Sequence, residues 1–214
     1  MQYSTFAAID IGSYDVILEI FEISKKQGIR SVDKICHRME LGKDTYTLGK
    51  IRPEMEEELC RVLADFVRIM EGYRVDAYRA MASSAISEAA NSLYVLGKIR
   101  QLTGLSVTVL SNSEQRFLGY KALAAMEDNF NKIIEKGTAI LDLDGGSFQI
   151  SLFDKDALVT TQNIRMGSLR IRERLAGIQS ETEHYEEMVE ELIWNEVSSF
   201  KKMYLKDRKL KTLC

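Results

Sequence analysis

The sequence contains few residues of the types that build metal clusters, disulfide frameworks or histidine-dependent active sites. It has three cysteines, two histidines and one proline. Cys36, Cys60 and Cys214 are widely spaced, so we expect reduced thiols rather than a metal cluster or a disulfide framework. With only His37 and His184, zinc chemistry and a Ser-His-Asp arrangement are both poorly supplied. A functional site in this chain is therefore expected to use carboxylates, hydroxyls and glycine-containing turns.

Charge and hydropathy argue against two further classes of protein. The net charge of −3 gives no general attraction to nucleic acid. No apolar run reaches membrane-spanning length, and the first five residues, MQYST, do not resemble the start of a secretory signal. We therefore expect a cytoplasmic protein that binds neither nucleic acid nor membranes.

Two short turns in the chain share one layout. The turn at residues 10–13 follows an apolar run and precedes a strand-like segment, and the turn at residues 142–147 does the same. Glycine lets a backbone approach a ligand closely, and successive N–H groups in such a turn can form a concavity for anions. A neighbouring aspartate can hold a cation. One such turn is more often an ordinary hairpin, but two with the same layout favour a site for phosphate and metal.

The order of predicted elements repeats along the chain. Strands are predicted at 3–10, 15–23 and 29–41, followed by a loop that contains Gly42 and Gly49. The remaining predicted elements are helix 53–72, strand 75–82, helices from 83 and at 91–102, strand 105–110, helix 111–126, a polar connection at 128–137, strands 138–143, 147–153 and 157–164, helix 168–175, a helix capped by Ser180 with Glu183 and ending near Tyr204, and a strand from Leu210.

This order restarts at about residue 138, after the polar connection. We therefore predict a first lobe at residues 1–127 and the beginning of a second lobe at residues 128–214. Duplicated α/β lobes that each open with such a turn would bind a nucleotide or phosphate in the cleft between them.

Six segments of the chain resemble, in the same order, the motifs of one known family. They are Ala8–Ser13 (the family's A-I-D-I-G-S-N-S), Leu41-Gly42 with Leu48–Ile51 (L-G, then T-G-R-L), Ala82–Asn91 (A-T-S-A-L-R-E-A-x-N), Leu110–Gln115 (I-S-G-x-E-E), Ile140–Ile150 (I-D-I-G-G-G-S-T-E-L) and Met166–Arg174 (G-x-V-R-L-x-E-R). On these motifs the chain resembles the N-terminal part of the exopolyphosphatase / guanosine pentaphosphate phosphohydrolase (Ppx/GppA) family, within the actin–Hsp70–sugar kinase superfamily.

The resemblance implies an α/β protein with duplicated actin-like (ribonuclease H-like) lobes, in which mixed sheets carry flanking helices and the second lobe is incomplete. It implies a Mg²⁺-dependent hydrolase that removes the terminal phosphate of inorganic polyphosphate or the 5′ γ-phosphate of guanosine pentaphosphate. It is also compatible with a homodimer.

The resemblance also implies roles for individual residues. The predicted metal ligands are Asp10, Asp142 and Asp144. The predicted phosphate-binding residues are Gly12, Ser13, Ser84, Ser87, Gly145, Gly146 and Ser147. The predicted catalytic positions are Gln115 and Glu114, in the segment where a family glutamate would activate or orient the attacking water.

Several of these positions depart from the family pattern. Gln115 stands where the second glutamate is expected, and an amide cannot accept a proton as a carboxylate does. Ser87 stands where an arginine would clamp phosphate. Tyr14 and Asp15 add bulk and negative charge beside the first turn. In the second turn, Asp144 replaces a glycine and Gln149 a glutamate. We therefore expect weak or absent turnover.

Three functions remain open at this point. The first is a phosphohydrolase with a degraded site, and the second is a regulatory member of the family that binds polyphosphate or a guanosine alarmone without turnover. The third is an actin-like ATP-binding protein. The sequence does not distinguish polyphosphate from guanosine pentaphosphate, and the chain would contain only the beginning of the second lobe.

Overall fold

The structure, a computed structural model, describes residues 3–126, 130–135, 137–176, 184–206 and 210–214. Its contacts divide the chain into two compact units, Met1–Ser111 and Asn112–Cys214. The helix that follows Ser111 therefore packs with the second unit. The lobes at residues 1–127 and 128–214 stay a prediction, because units defined by contacts need not coincide with the lobes of a fold.

A five-stranded sheet forms the centre of the first unit. Its strands are β1 (Ser4–Ile11), β2 (Asp15–Ser24), β3 (Gly28–Arg38), β4 (Ala77–Ala82) and β5 (Val107–Val109), in the spatial order β3-β2-β1-β4-β5. The first three strands form the predicted antiparallel meander, and β4 and β5 add to it in parallel. Alternate residues of β1 are buried, as the period of two in a strand requires.

Four helices belong to the first unit. They are α1 (Leu41–Leu48), α2 (Pro53–Gly72), α3 (Ser84–Ser87) and α4 (Ser92–Thr103). Helix α2 begins at the only proline of the sequence, in the first turn, where a missing N–H costs nothing. Its apolar stripe is buried in the core of the unit, with Leu59 and Leu63 fully buried.

Helix α1 corrects the prediction of a loop around Gly42 and Gly49. Gly42 is buried inside the helix, while Gly49 ends it with a φ of 70°. Leu41 and Thr45 are buried, and the Thr45 hydroxyl donates to the carbonyl of Ala85 at 2.7 Å. Packing therefore overrides the weak helix propensity of a segment that contains glycine.

The second unit also contains a sheet, with four described strands. They are β6 (Thr138–Leu143), β7 (Phe148–Asp154), β8 (Ala157–Ile164) and β9 (Thr212–Leu213), in the order β8-β7-β6-β9. Its helices are α5 (Asn112–Met126), α6 (Phe130–Ile134), α7 (Ser168–Leu175) and α8 (Tyr185–Tyr204). Helix α6 lies within the predicted polar connection at 128–137, whereas the predicted cap at Ser180 and Glu183 lies outside the described residues.

The two sheets share one topology. In each, the first two connections are antiparallel, and the fourth strand joins the first in parallel. This repeat confirms the predicted restart of the chain near residue 138. It also gives the two predicted turns equivalent positions, because each joins the first strand of its sheet to the second.

Two predictions about composition can be compared with the structure. All three cysteines are free, with Cys60 buried and Cys36 and Cys214 exposed. Burial raises the pKa of the Cys60 thiol. Within the described part of the chain, no helix combines the length and apolar character that crossing a membrane requires.

Phe200 tests the core of the second unit. Its side chain is 2% exposed in a cluster with Leu152 and Leu175, whereas Met203 on the same helix is 59% exposed. We expect Phe200→Ala to lower the free energy of unfolding by about 3–5 kcal/mol. Met203→Ala, the matched control, should change it by less than about 0.5 kcal/mol.

The measurement is urea unfolding followed by the fluorescence of Trp194, the only tryptophan, which lies on the same helix. Equal losses in the two variants would contradict this description of the core.

Candidate functional site

The first predicted turn is a tight connection between β1 and β2. The Gly12 N–H donates to the carbonyl of Asp15 at 3.0 Å. A Cβ on Gly12 would lie 3.0 Å from that carbonyl oxygen and 4.0 Å from Oδ2 of Asp10, so glycine fits here without displacing backbone. The bond also means that this N–H already has an acceptor inside the protein.

Three hydroxyl groups meet beside the first turn. The hydroxyl of Ser13, a fully buried residue, lies 2.6 Å from that of Tyr46 and 3.4 Å from that of Ser84. Tyr46 and Ser84 lie 2.8 Å apart. The structure thus brings together two of the predicted phosphate-binding residues and adds Tyr46, which the sequence did not indicate because α1 was not predicted.

The neighbouring serines differ in their surroundings. Ser83 is buried, and its hydroxyl has no hydrogen-bond partner among the described residues. Ser87, at the end of α3, is exposed. The position where the family pattern has an arginine therefore carries a short hydroxyl at the surface.

Arg38 compensates the charge that Asp15 adds beside the first turn. Its Nε donates to Oδ1 of Asp15 at 2.6 Å, and its guanidinium lies 5.2 Å from the centre of the Tyr14 ring. The hydrogen bond and the charge of Asp15 raise the pKa of Arg38. Tyr14 and Asp15 thus form a small cluster with Arg38, and the carboxylate is paired.

The second predicted turn, between β6 and β7, is closed by its own polar groups. The Asp144 N–H donates to the carbonyl of Ser147 at 2.9 Å. Oδ1 of Asp144 accepts from the Gly145 N–H at 2.6 Å. Gly145 and Gly146 are both buried. As in the first turn, one of the N–H groups predicted for anion binding is already bonded within the protein.

The start of α7 packs directly onto this second turn. The N–H of Ser168 donates to the carbonyl of Asp144 at 3.1 Å. The N–H groups of Leu169 and Arg170 both donate to the carbonyl of Gly145, at 3.0 and 3.1 Å. Nε of Arg170 donates to the carbonyl of Gly146 at 2.9 Å. The first N–H groups of the helix, which have no partner within it, are thus satisfied by the turn.

Gly167 makes this packing possible. A Cβ at this position would lie 2.3 Å from the carbonyl oxygen of Asp144 and 2.4 Å from both Gly145 C and Ser147 N. These are backbone atoms of a closed turn and cannot rotate away. The family segment beginning at Gly167 therefore needs glycine for steric reasons.

Asp142 faces helix α5, which carries the predicted catalytic positions. A Cβ on Gly119 would lie 3.8 Å from Oδ2 of Asp142. Gln115 precedes Gly119 by four residues and therefore shares its helix face, while exposed Glu114 lies about 100° further round. Asp142 itself is exposed at the surface. Desolvation by neighbouring atoms, together with the charge of Asp144, raises the pKa of Asp142.

A cavity of about 170 Å³ lies beside Asp142 within the second unit. Its lining residues are Arg116, Gly119, Tyr120, Leu123, Ile140, Leu141, Asp142, Gln149 and Ser151. The Tyr120 hydroxyl donates to Oγ of Ser151 at 2.6 Å. Gln149 lies opposite Asp142 in the β6–β7 register. The sequence indicated Asp142 and Gln149, but not Arg116, Tyr120 or Ser151.

Among the described residues of each unit, the predicted metal ligands do not form a cluster of three or more. Among the described residues, no group of three or more histidine, cysteine, aspartate or glutamate side chains is arranged to hold a metal. The charge of Asp144 contributes to the raised pKa of Asp142, and two carboxylates that influence each other can together hold a cation. Mg²⁺ commonly binds through one or two carboxylates together with water and substrate phosphates. These residues fit such an ion, and magnesium stays a prediction.

Gly167→Ala tests the packing of α7 on the second turn. We expect a loss of about 3 kcal/mol or more in the unfolding free energy, because the added methyl overlaps backbone atoms. The matched control is Gly119→Ala in the same unit, where the added atom makes an ordinary contact and helix propensity improves by up to about 1 kcal/mol. Urea unfolding monitored by Trp194 fluorescence measures both. A Gly167→Ala protein as stable as the parent would contradict the close approach.

Comparisons with known proteins agree with the sequence motifs. Exopolyphosphatase 1 of Mycobacterium leprae is 26% identical over 144 residues, which are 67% of this chain and 41% of that protein. The bifunctional 3-dehydroquinate synthase/phosphatase of Fusobacterium nucleatum is 22% identical over 174 residues, 78% of this chain and 26% of that protein. The chain thus spans less than half the length of either relative.

A crystal structure of the Ppx/GppA family member from Aquifex aeolicus has a TM-score of 0.69 to this chain at 23% identity. The match covers 93% of this chain and 63% of that one. This likeness confirms the predicted actin-like fold class. The sequence model of the Ppx/GppA phosphatase family matches residues 19–213 of this chain. The chain therefore belongs to the Ppx/GppA phosphatase family.

Proposed function

We propose that this chain carries out phosphohydrolase chemistry on the terminal phosphate of inorganic polyphosphate, at a low rate. The observation that supports this most is the arrangement in the second unit. There, Asp142 lies against helix α5 at Gly119, one turn after Gln115, and lines a small cavity with polar and apolar residues. Two neighbouring carboxylates, a side chain that can orient water and a small cavity are parts that hydrolysis of a phosphoanhydride uses.

The two carboxylates would hold the cation. Asp142 and Asp144 already repel each other, and a divalent ion would relieve that repulsion. When bound, Mg²⁺ would neutralise phosphate charge and polarise the phosphoryl group. We assign Asp10, beside the first turn, the same kind of role.

Gln115 would orient the attacking water rather than deprotonate it. Its amide oxygen can accept a hydrogen bond from water, but it cannot take up the proton at neutral pH. A positioned general base typically contributes about 10²–10⁴-fold to a rate, so its absence accounts for slow turnover. Asp142, which faces the same helix at Gly119, is engaged with the cation in this proposal.

Binding without turnover is the second candidate, because three observations favour it. Gln115 lacks a carboxylate, Ser87 lacks a guanidinium, and the Ser13 hydroxyl is bonded to Tyr46 and Ser84. A regulatory protein that binds polyphosphate or guanosine pentaphosphate would keep the turns and lose the reaction. A homodimer and a cytoplasmic location stay predictions with either function.

The decisive assay measures phosphate release from polyphosphate and from guanosine pentaphosphate, with Mg²⁺ and with EDTA. We expect slow release from polyphosphate that EDTA abolishes and that Asp142→Asn reduces by at least about 100-fold. Calorimetry with both compounds and with ATP accompanies the assay. Binding without any release would overturn hydrolysis in favour of the second candidate, and binding of ATP alone would favour an actin-like ATP-binding protein.

Restoring the family residues tests the degraded site. We expect Gln115→Glu combined with Ser87→Arg to raise the release rate by about 10–100-fold, because a base and a phosphate clamp are returned. The control is Gln101→Glu with Ser106→Arg, which makes the same charge changes at exposed positions. An equal gain in both double variants would show a general charge effect and contradict the role of residues 87 and 115.

A further inference from the structure

One arginine, Arg116, lines the cavity beside Asp142. It does so together with Asp142 and Gln149, and among the described residues that line the cavity it is the only one with a cationic side chain. Helix α5 positions this arginine directly after Gln115. Arg116 thus lines the same cavity as the carboxylate proposed to hold the cation.

Arg116 is held near the start of its helix. One terminal nitrogen, Nη2, donates to Oγ of Ser113 at 3.2 Å. This bond uses a single one of the five N–H donors of a guanidinium, which can also make a bidentate contact to an anion. The residue is partly exposed and its bond to Ser113 lies at the surface, so the guanidinium is accessible to an anion.

The size of the cavity selects the part of a substrate that fits. Its volume of about 170 Å³ is close to the about 150 Å³ of a cavity that holds one benzene molecule. It accommodates a single phosphate group but not a nucleoside. Its lining is mixed: Leu123, Ile140 and Leu141 are apolar, whereas Arg116 and Gln149 offer N–H donors to the oxygen atoms of a phosphate.

We propose that Arg116 binds the terminal phosphate of the substrate and supplies the guanidinium that Ser87 does not provide. The proposal rests on the proposed function for the class of ligand, but not for turnover. It makes Arg116 a binding residue of the second unit, so that recognition there depends on charge as well as on the turn at residues 142–147.

Calorimetry with inorganic tripolyphosphate and with orthophosphate, in the presence of Mg²⁺, tests the proposal. We expect Arg116→Gln to weaken tripolyphosphate binding by about 10–100-fold. Arg116→Lys should weaken it less, because lysine keeps the positive charge and loses only the bidentate geometry of the guanidinium. The control is Lys121→Gln, which removes one positive charge from the same helix, where Lys121 lies 4.7 Å from the centre of the Phe117 ring. It should change binding by less than about twofold.

A structural role for Arg116 would give a different result. Loss of the bond to Ser113 would lower the melting temperature of Arg116→Gln, and Ser113→Ala would then reproduce the loss of affinity. We expect Ser113→Ala to bind tripolyphosphate within about twofold of the parent. Matching losses in Ser113→Ala and Arg116→Gln would overturn the proposal, and so would unchanged binding in Arg116→Gln. Should Arg116→Gln fail to fold, Arg116→Lys gives the same comparison.

Failure of this inference can be told apart from failure of the proposed function. Binding that depends on Arg116 without any phosphate release supports the inference and overturns hydrolysis. Phosphate release with an unchanged KM in Arg116→Gln overturns the inference and leaves hydrolysis intact. A parent protein that binds neither phosphate compound overturns the inference.

Discussion

The geometry of the second unit's site depends on the contact between Gly167 and the turn before β7. Without a side chain at this position, the start of α7 reaches the carbonyls of Asp144 and Gly145 and satisfies its own first N–H groups there. The turn is thereby fixed at the end of β6, and Asp142 with it. Because the first N–H groups of α7 already donate to the turn, the positive end of this helix is not available to bind an anion.

In the proposed site, positive charge therefore contributes more to phosphate binding than backbone N–H groups do. Gly12 and Gly145, two of the predicted anion donors, already donate to Asp15 and to Asp144. Both turns are acidic, and phosphate needs a compensating positive charge to approach them. In the first unit Arg38 pairs with Asp15, whereas in the second unit a cation and Arg116 would do this work.

Apolar content and turn residues made most of the fold predictable. Runs of apolar, β-branched and aromatic residues between turns located β1, β2, β6, β7 and β8. Apolar stripes of helical period located α2 and the end of α8, because burial on one face of a helix leaves a clear pattern. Helix α1 was missed because its glycine and polar residues are held by tertiary contacts that no local pattern records. Tyr46 was missed with it. Arg116 stood beside a predicted catalytic position, but only the cavity, which α5 and the sheet build together, gives it a possible role.

The two turns occupy equivalent places in sheets of one topology, but they achieve a close backbone approach in different ways. In the first, the crowded glycine is Gly12, inside the turn itself. In the second, it is Gly167, twenty residues beyond the turn that it accommodates. The steric restriction thus falls on non-equivalent positions of the two halves. Tolerance to substitution should consequently be asymmetric although the architecture is symmetric, and aligning one half of the chain on the other would not reveal which glycine is indispensable.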